Sequence, residues 1–213
     1  MHNPLAAEVL YTARAMNASG INRGTAGNVS ARSRDNPAHF LITPSGMSYA
    51  EMDVDDIVLM GLDGNWPGIR KPSSEWRFHR DIYAAKPQVG AVVHTHSPFA
   101  TALACMGCDI PPFHYMIARF GGRDVRCAAY ATFGTQELSD AALVALRDRN
   151  GCLLAHHGMI VCGADLKQAL ALAVELETLC EQYWRVLQIG PARLLSDEEM
   201  MRVLKRFSEY GQQ

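Results

Sequence analysis

Two apolar runs in the sequence end in pairs of histidines. His94 and His96 close the segment AVVHTH, and His156 and His157 close the segment GCLLAHH. On a strand, His94 and His96 project from one face about 7 Å apart along the backbone, and one metal ion can bridge that span. A third imidazole would complete the ligand set of a catalytic zinc site and leave a fourth position open. The alternative is an ordinary pair of hydrogen-bonded histidines at a strand end.

The second histidine pair is ambiguous. Side chains alternate along a strand, so one of His156 and His157 points towards a metal shared with the first pair, and the other points away. His157 precedes Gly158 directly and His156 comes one residue earlier, so either could come at the end of the strand. The residues alone do not decide between them.

Glu75 is a candidate base. It lies in the segment PSSEWRFHRDIY, whose doubled serine predicts the start of a helix. Ser73 or Ser74 can cap this helix and leave Glu75 in its first turn, where the dipole favours a carboxylate. Ordinary capping is therefore a sufficient explanation of the pattern. The serines also offer hydroxyls and free backbone N–H groups at a helix N-terminus, which together form an anion site. One short segment can thus hold a phosphate and a base side by side.

Two further loops have the composition of phosphate-binding turns. The segment NRGTAGNVS, residues 22–30, and the segment TPSGM, residues 43–47, combine glycines with threonine, serine and asparagine. Their hydroxyl and backbone N–H groups suit an anion. Neither segment is a Walker motif or a dinucleotide-binding motif. Beside a candidate zinc site, they predict a small phosphorylated substrate.

The elements that must position these residues follow from apolar periodicity and capping signals. Strands and helices mixed along the whole chain predict a layered α/β domain, in which helices cover a central sheet. The pattern predicts helices at 4–18, 74–85, 98–106, 136–149, 165–188 and 196–208, and strands at 28–32, 39–42, 56–60, 90–95, 125–129 and, in two pieces, 151–162.

Composition limits the classes of partner. The 213 residues, 48% of them hydrophobic, suffice for one core, so we predict a single domain over residues 1–213. The 20 basic and 22 acidic residues are scattered, which argues against a nucleic-acid partner. No apolar run approaches the roughly 18 residues of a membrane span. We expect a cytoplasmic protein with reduced cysteines. The CxxC of Cys105 and Cys108 has no second pair that would make a structural zinc site.

Seven motifs, in this order, resemble those of the class II aldolase/adducin-head family: GTAGNVS, TPSGM, PSSEWRFHRDIY, VVHTHS, FHYMIARFGG, YATFGT and LLAHHGMIVCG. The similarity continues to LSDEEM and FSEYG and so covers almost the whole chain. The resemblance implies a three-layer α/β/α domain with a central, largely antiparallel sheet. It also implies a homotetramer with active sites between subunits, one Zn²⁺ per subunit, and a C-terminal helix and tail, about 196–213, that acts as a lid.

The resemblance assigns site residues by their positions in the matching motifs. It implies that His94, His96, His157 and Glu75 ligate the zinc. Glu75 also matches the catalytic acid/base, which leaves the zinc when substrate arrives. Tyr115 matches a catalytic tyrosine that reaches the neighbouring subunit's site and donates a proton to the aldehyde oxygen. The wall and the mobile lid of the aldehyde pocket match Phe133 and Tyr210. The residues in the phosphate-binding motifs are Thr25, Gly27, Asn28, Thr43, Ser45, Gly46, Ser73 and Ser74.

The implied function is reversible, zinc-dependent cleavage of a ketose 1-phosphate into dihydroxyacetone phosphate and an aldehyde. The candidate substrates are L-fuculose 1-phosphate, 5-deoxyribulose 1-phosphate and 5-methylthioribulose 1-phosphate, so the pathway is deoxysugar catabolism or methionine salvage. A pentulose-phosphate 4-epimerase and a methylthioribulose-1-phosphate dehydratase are the alternatives within the family. An adducin-like interaction domain is the non-enzymatic alternative, and we expect such a domain to lack the metal ligands.

Overall fold

The computed structural model describes residues 3–209, in which strands and helices alternate along the chain. Two 3-10 helices cover Val54–Asp56 and Tyr115–Phe120. The strands are β1 (Asn28–Arg32), β2 (His39–Ile42), β3 (Val58–Gly61), β4 (Ala91–Thr95), β5 (Cys127–Ala128), β6 (Gly151–Leu154) and β7 (Gly158–Gly163). The α-helices are α1 (Pro4–Ala18), α2 (Trp76–Ala85), α3 (Pro98–Ala104), α4 (Gln136–Ala145), α5 (Leu166–Ile189) and α6 (Asp197–Glu209).

Within the described residues, the strands form one seven-stranded sheet in the order β3-β2-β1-β4-β7-β6-β5. Neighbouring strands are antiparallel except β5 and β6, which are parallel. The central strand is β4. Its register places His94 opposite Asn28 of β1 and Thr95 opposite Met159 of β7. The prediction of a largely antiparallel sheet is confirmed.

Helices cover both faces of this sheet. Side chains alternate along β4, so Val93 enters one core and Val92 enters the other. Helices α1, α3 and α5 pack on the Val93 face, and α2 and α4 pack on the Val92 face. The predicted three-layer α/β/α architecture is therefore confirmed, and β4 carries its histidines through the middle of the molecule.

Helix α3 begins directly after the first histidine pair, and a carboxylate from another helix holds its start. Glu177 of α5 accepts hydrogen bonds from the backbone N–H groups of Phe99 and Ala100, each at 2.8 Å. These are donors that the first turn of a helix leaves without an intrahelical partner. The negative charge also suits the positive end of the helix dipole. Glu177 thereby anchors the chain just beyond His96.

The start of α2 differs from the sequence prediction. Neither Ser73 nor Ser74 caps the helix, which begins at Trp76 with Glu75 as the preceding residue. The cause is a bridge between two loops: Pro44 pairs with Pro72, and the N–H of Ser73 donates to the carbonyl of Thr43 at 3.0 Å. That bridge keeps residues 72–74 out of the helix. The prediction that Glu75 lies in the first turn was therefore wrong by one residue.

Two other differences concern helix extent. Helix α4 ends at Ala145 rather than at 149, because Asp148 adopts a left-handed backbone with φ 57°. The 3-10 helix Tyr115–Phe120 was not predicted, and it ends at Gly121 with φ 87°. Among the residues that the structure describes, no helix is both long and apolar enough to cross a membrane.

Candidate active site and metal centre

Three elements bring four side chains to one point. Strand β4 supplies His94, and the chain continues from it to His96. Glu75 is the residue just before α2, and the turn between β6 and β7 supplies His157. Their ligand atoms all lie within 4.8 Å of one another. The register of the central strands makes this possible, since β4 lies directly beside β7. The structure therefore brings the four predicted ligands together.

The turn between β6 and β7 resolves the ambiguity between the paired histidines. His156 has a left-handed backbone with φ 56°, and its side chain is exposed and lies edge-on to the ring of Tyr130 at 5.8 Å. His157 turns inward, with Nε2 at 3.0 Å from Oε1 of Glu75. Gly158 follows because a Cβ there would collide with the carbonyl of Thr95. The sharp turn therefore directs only His157 towards Glu75 and leaves His156 exposed beside Tyr130, although both histidines line the same cavity.

The ring nitrogens and the carboxylate of this cluster point their lone pairs towards one another. Nδ1 of His94 lies 2.9 Å from the carbonyl oxygen of Met159, which can only accept, so Nδ1 carries the proton and Nε2 presents a lone pair. That lone pair lies 3.1 Å from Nε2 of His96 and 3.2 Å from Oε2 of Glu75. A backbone carbonyl that fixes the tautomer in this way is typical of metal-ligating histidines.

Protonation states of the cluster also suit a cation. Burial, followed by the neighbouring His94 and His157, lowers the pKa of His96 to about 4, so its ring is neutral at neutral pH, as a ligand must be. Burial raises the pKa of the Glu75 carboxyl, but His94 and His157 outweigh that effect and hold the pKa well below its ordinary value. The donor set of three imidazoles and one carboxylate fits a divalent metal.

Glu75 has an oxygen that the protein itself leaves without a good partner. Oε1 is buried, and within residues 3–209 it accepts no hydrogen bond of normal geometry, although Nε2 of His157 is near. Its side chain caps no backbone N–H of α2 in the described chain. Capping therefore does not explain this carboxylate. A buried carboxylate oxygen without a protein partner, next to three ring nitrogens, is expected where the missing partner is a metal ion.

The cluster lies at the bottom of an open cavity of about 260 Å³. Ser74 and Phe133, predicted to contact the phosphate and the aldehyde, both line it together with three of the four proposed ligands, Glu75, His96 and His157. No lysine or arginine is among the described residues that line the cavity. These are Ala26, Ser74, Glu75, His96, Tyr130, Ala131, Phe133, His156 and His157.

Six of the eight residues predicted to bind phosphate fall into two groups. Thr25, Ser45, Gly46 and Ser74 are exposed in loops. The hydroxyls of the other group, Thr43 and Ser73, are buried and already accept backbone hydrogen bonds, from the N–H of Val29 at 3.2 Å and of Glu75 at 3.3 Å. The bridge between Pro44 and Pro72 brings the second and third phosphate-binding motifs side by side. Phosphate binding itself stays a prediction for the whole set.

Gly27 and Asn28 have additional contacts that the sequence did not indicate. A Cβ on Gly27 would lie 2.5 Å from the carbonyl oxygen of His94, so only glycine allows this loop to lie against β4. The hydroxyl of Tyr49 donates to the carbonyl of Gly27. The side chain of Asn28 lies between Glu75 and His79 and is buried. Asn28 therefore contacts the proposed acid/base directly.

Tyr115 does not join the metal cavity within one subunit. It is 49% exposed on the 3-10 helix Tyr115–Phe120, and its ring stacks on Phe207 of α6 with centroids 6.4 Å apart. Together with Arg119 and Arg206, it lines a separate cavity of about 890 Å³. The described part of the predicted lid packs on this 3-10 helix, and Tyr210 lies outside the described residues. Both predicted roles stay predictions.

Sequence reasoning missed His79, Ser30 and Tyr83, which extend the polar contacts of Glu75 into the core. A signal for them exists. Glu75, His79 and Tyr83 recur every four residues and so lie on one face of α2, and Asn28 alternates with Ser30 on one face of β1. Polar residues that share one face of α2 and polar residues that share one face of β1 together indicate a buried hydrogen-bond network.

Comparison with known proteins identifies the family. The family model of the class II aldolase and adducin N-terminal domain matches residues 7–184. The chain belongs to this family. It is 58% identical over 203 residues to the 5-methylthioribulose-1-phosphate/5-deoxyribulose-1-phosphate aldolase of Rhodospirillum rubrum, which covers 95% of this chain and 90% of that protein. It is 45% identical over 210 residues to the L-fuculose phosphate aldolase of Escherichia coli K12, covering 98% and 96%. A solved structure of an L-fuculose 1-phosphate aldolase matches with a TM-score of 0.93 at 35% identity and covers 98% of each chain. The family resemblance noted in the sequence is confirmed.

Proposed function

We propose that this chain is a metal-dependent class II aldolase that reversibly cleaves a ketose 1-phosphate into dihydroxyacetone phosphate and an aldehyde. The observation that carries the proposal is the convergence of Glu75, His94, His96 and His157 at the bottom of an open cavity. Relatives that cover almost the whole chain are named aldolases of such substrates, which supports the same reaction class. The enzyme is then a lyase of sugar-phosphate metabolism.

The proposed chemistry needs a cation and a movable proton. Cleavage of a carbon–carbon bond beta to a ketone leaves the negative charge of an enediolate, and a divalent metal at this site would supply the Lewis acid that such a charge needs. His94, His96 and His157 would hold this metal. Glu75 is the proton carrier in our proposal, and the structure supports this with a carboxylate that has one oxygen towards His94 and one towards His157. A carboxylate on the rim of a ligand set can accept and return a proton within one turnover.

The phosphate of the substrate meets hydroxyl and backbone N–H groups rather than cationic side chains. The proposed set is the predicted one: Thr25, Gly27, Asn28, Thr43, Ser45, Gly46, Ser73 and Ser74. Ser74 reaches the cavity of the metal ligands just before the N-terminus of α2, where the helix dipole favours an anion. At Ser74, where no lysine or arginine among the described residues lines the cavity, the helix dipole would supply the positive field for the phosphate.

The aldehyde end of the substrate lies against the aromatic side of the cavity. Tyr130 and Phe133 are exposed there, at 64% and 67%, with Ala131 between them. Tyr115 and Tyr210 complete the pocket in our proposal, Tyr115 from a neighbouring subunit of a homotetramer. The surface position of Tyr115, away from its own metal cavity, supports donation to another subunit.

Zinc, one ion per subunit, is the metal that we propose, because three imidazoles and one carboxylate match its ligand preference. The proposed substrates are 5-methylthioribulose 1-phosphate, 5-deoxyribulose 1-phosphate and L-fuculose 1-phosphate, in a cytoplasmic salvage or deoxysugar pathway. An apolar pocket separates such tails by only about 1–3 kcal/mol per methylene, so one enzyme can accept several. The four converging ligands oppose the adducin-like alternative.

The test is release of dihydroxyacetone phosphate from the three ketose phosphates, coupled to NADH oxidation by glycerol-phosphate dehydrogenase. We expect release that a chelator abolishes and added zinc restores. His157→Ala should abolish it, whereas His39→Ala, a matched change on β2, should not. Absence of release from any substrate by protein with stoichiometric zinc would favour the epimerase or the dehydratase. Absence of bound metal would favour the adducin-like domain.

A further inference from the structure

A buried chain of hydrogen bonds runs from the metal centre into the core. The amide nitrogen of Asn28 donates to Oε2 of Glu75 at 2.9 Å, and the amide oxygen lies 2.5 Å from Nε2 of His79. Nδ1 of His79 lies 2.7 Å from Oγ of Ser30, which lies 2.7 Å from the hydroxyl of Tyr83. All five side chains are buried. The chain thus links the carboxylate to a phenol two turns further along α2.

The hydrogen bonds in this chain can run in one direction only. An ionised carboxylate accepts and cannot donate, so the amide nitrogen of Asn28 faces Glu75 and the amide oxygen faces His79. Nε2 of His79 must then donate to that oxygen. In a neutral ring, Nδ1 is left as an acceptor, so Ser30 donates to it, and Tyr83 donates to Ser30. Each link depends on the one before it.

The environment of His79 keeps the ring neutral. Complete burial is the main cause that lowers the pKa of His79 to about 3. The ring therefore carries a single proton at neutral pH. Since Nδ1 accepts from Ser30, this proton is held on Nε2, opposite Asn28.

We infer that His79 is a positioning residue that fixes the orientation of the Asn28 amide and, through it, the Glu75 carboxylate at the metal centre. If the amide were turned over, its oxygen would lie against Oε2 of Glu75, and two acceptors at hydrogen-bond distance repel each other. The donor on Nε2 of His79 prevents that rotation. The inference deepens the proposed function, because Glu75 is both a ligand and the proton carrier in that proposal.

Packing alone does not explain this series of hydrogen bonds. Its inner end lies in an apolar core formed by residues such as Phe40 and Ile82. In such a core, a partly satisfied polar network costs more than apolar side chains of the same size. A network in which each hydrogen bond has a single donor direction instead fixes the orientation of the group at its end nearest the metal centre. In this protein, that group is the carboxylate of Glu75.

The test compares His79→Leu with His79→Gln in the full-length, metal-loaded protein. Glutamine can place an N–H donor near the position of Nε2, whereas leucine cannot. We expect His79→Leu to weaken zinc affinity by about 10–100-fold, the range typical of lost contacts behind a ligand, and to lower kcat with little change in KM. His79→Gln should recover most of both. Equal effects of the two substitutions, or wild-type zinc affinity in His79→Leu, would overturn the inference.

A matched control separates positioning from packing. Ile82→Val removes one methylene from the same helix and core without touching the chain, so it should lower the melting temperature while leaving zinc affinity within about twofold of wild type. If Ile82→Val weakened zinc binding as much as His79→Leu did, the effect would be one of core packing.

A second variant decides the question if His79→Leu does not fold. Ser30→Ala removes the donor to Nδ1 and leaves the volume almost unchanged, so the ring loses the contact that holds its proton on Nε2. We expect zinc affinity to fall several-fold, and unchanged affinity would contradict the inference. Zinc affinity needs no substrate, so these outcomes stay readable even if no ketose phosphate is cleaved.

Discussion

The inner and outer sides of the metal centre differ in both burial and hydrogen bonding. On the inner side, Asn28 and His79 come from β1 and α2, are fully buried, and satisfy each other's polar groups. On the outer side, Tyr130, Phe133 and His156 come from loops and turns and are exposed. Regular elements fix geometry more tightly than loops do. The contrast supports our proposal that the inner side serves the reaction chemistry and the outer side serves substrate choice.

The largest expected effect tests the inner side at the carboxylate. Glu75→Gln keeps the size of the side chain and an oxygen ligand but removes the proton carrier. We expect kcat to fall by at least about 10²-fold, the usual contribution of an acid/base residue, while zinc remains bound. Steady-state kinetics with metal analysis on the same sample measures both. Glu51→Gln, the same change in an exposed turn, should have no effect, and near wild-type turnover in Glu75→Gln would remove its proposed role.

A smaller effect tests how tightly the inner side is packed. Gly27→Ala places a Cβ 2.5 Å from the carbonyl of His94 and 2.7 Å from Oδ1 of Asn22. Overpacking of this kind costs about 1–3 kcal/mol, which should appear as a lower urea midpoint. Gly68→Ala is the control, since its Cβ would lie 3.9 Å from the nearest atom, the backbone nitrogen of Arg70. Equal stability of the two variants would show that the Gly27 loop can move away from β4.

Local patterns predicted most elements, the pair of His94 and His96 as candidate ligands and Glu75 as a candidate base, whereas the family resemblance supplied His157 and Glu75 as further ligands. His94 and His96 alternate on a strand, and the segment around Glu75 carries a helix-start signal. The inward turn of His157 depended on the left-handed backbone at His156, which no residue type demands. The start of α2 depended on the pairing of Pro44 with Pro72, a contact between distant segments. Local patterns thus predict which residues are available, and long-range pairing decides which of them meet.

A pH experiment tests the inner side through folding stability. The pKa of His79 is about 3 in the folded protein and about 6.5 in an unfolded chain. Between these values the unfolded state binds a proton that the folded state does not, so this residue lowers stability progressively as pH falls below about 6.5. The slope is up to about 1.4 kcal/mol per pH unit. In chelator-treated protein, His79→Gln should show a flatter loss of stability from pH 6.5 to 4 than wild type.

The control for this slope is again Ile82→Val, which lowers stability without changing any titrating group. Its stability curve should lie below that of wild type and run parallel to it. If His79→Gln also ran parallel to wild type, His79 would take up a proton in the folded state within this range, and the one-directional chain of hydrogen bonds would not hold.

The smallest expected effect tests the outer side. Phe133 is 67% exposed, so Phe133→Ala should leave the melting temperature and zinc content unchanged. If this ring contacts the tail of the aldehyde, its removal should reduce the preference between 5-methylthioribulose 1-phosphate and 5-deoxyribulose 1-phosphate by a few-fold in kcat/KM. The effect is small because a partly exposed wall supplies only part of the roughly 1–3 kcal/mol that a buried methylene is worth. Val144→Ala, an equally exposed apolar change on α4, is the control. Equal losses for both substrates would mean that Phe133 positions the reacting carbons, and the division between an inner side for chemistry and an outer side for specificity would fail at this residue.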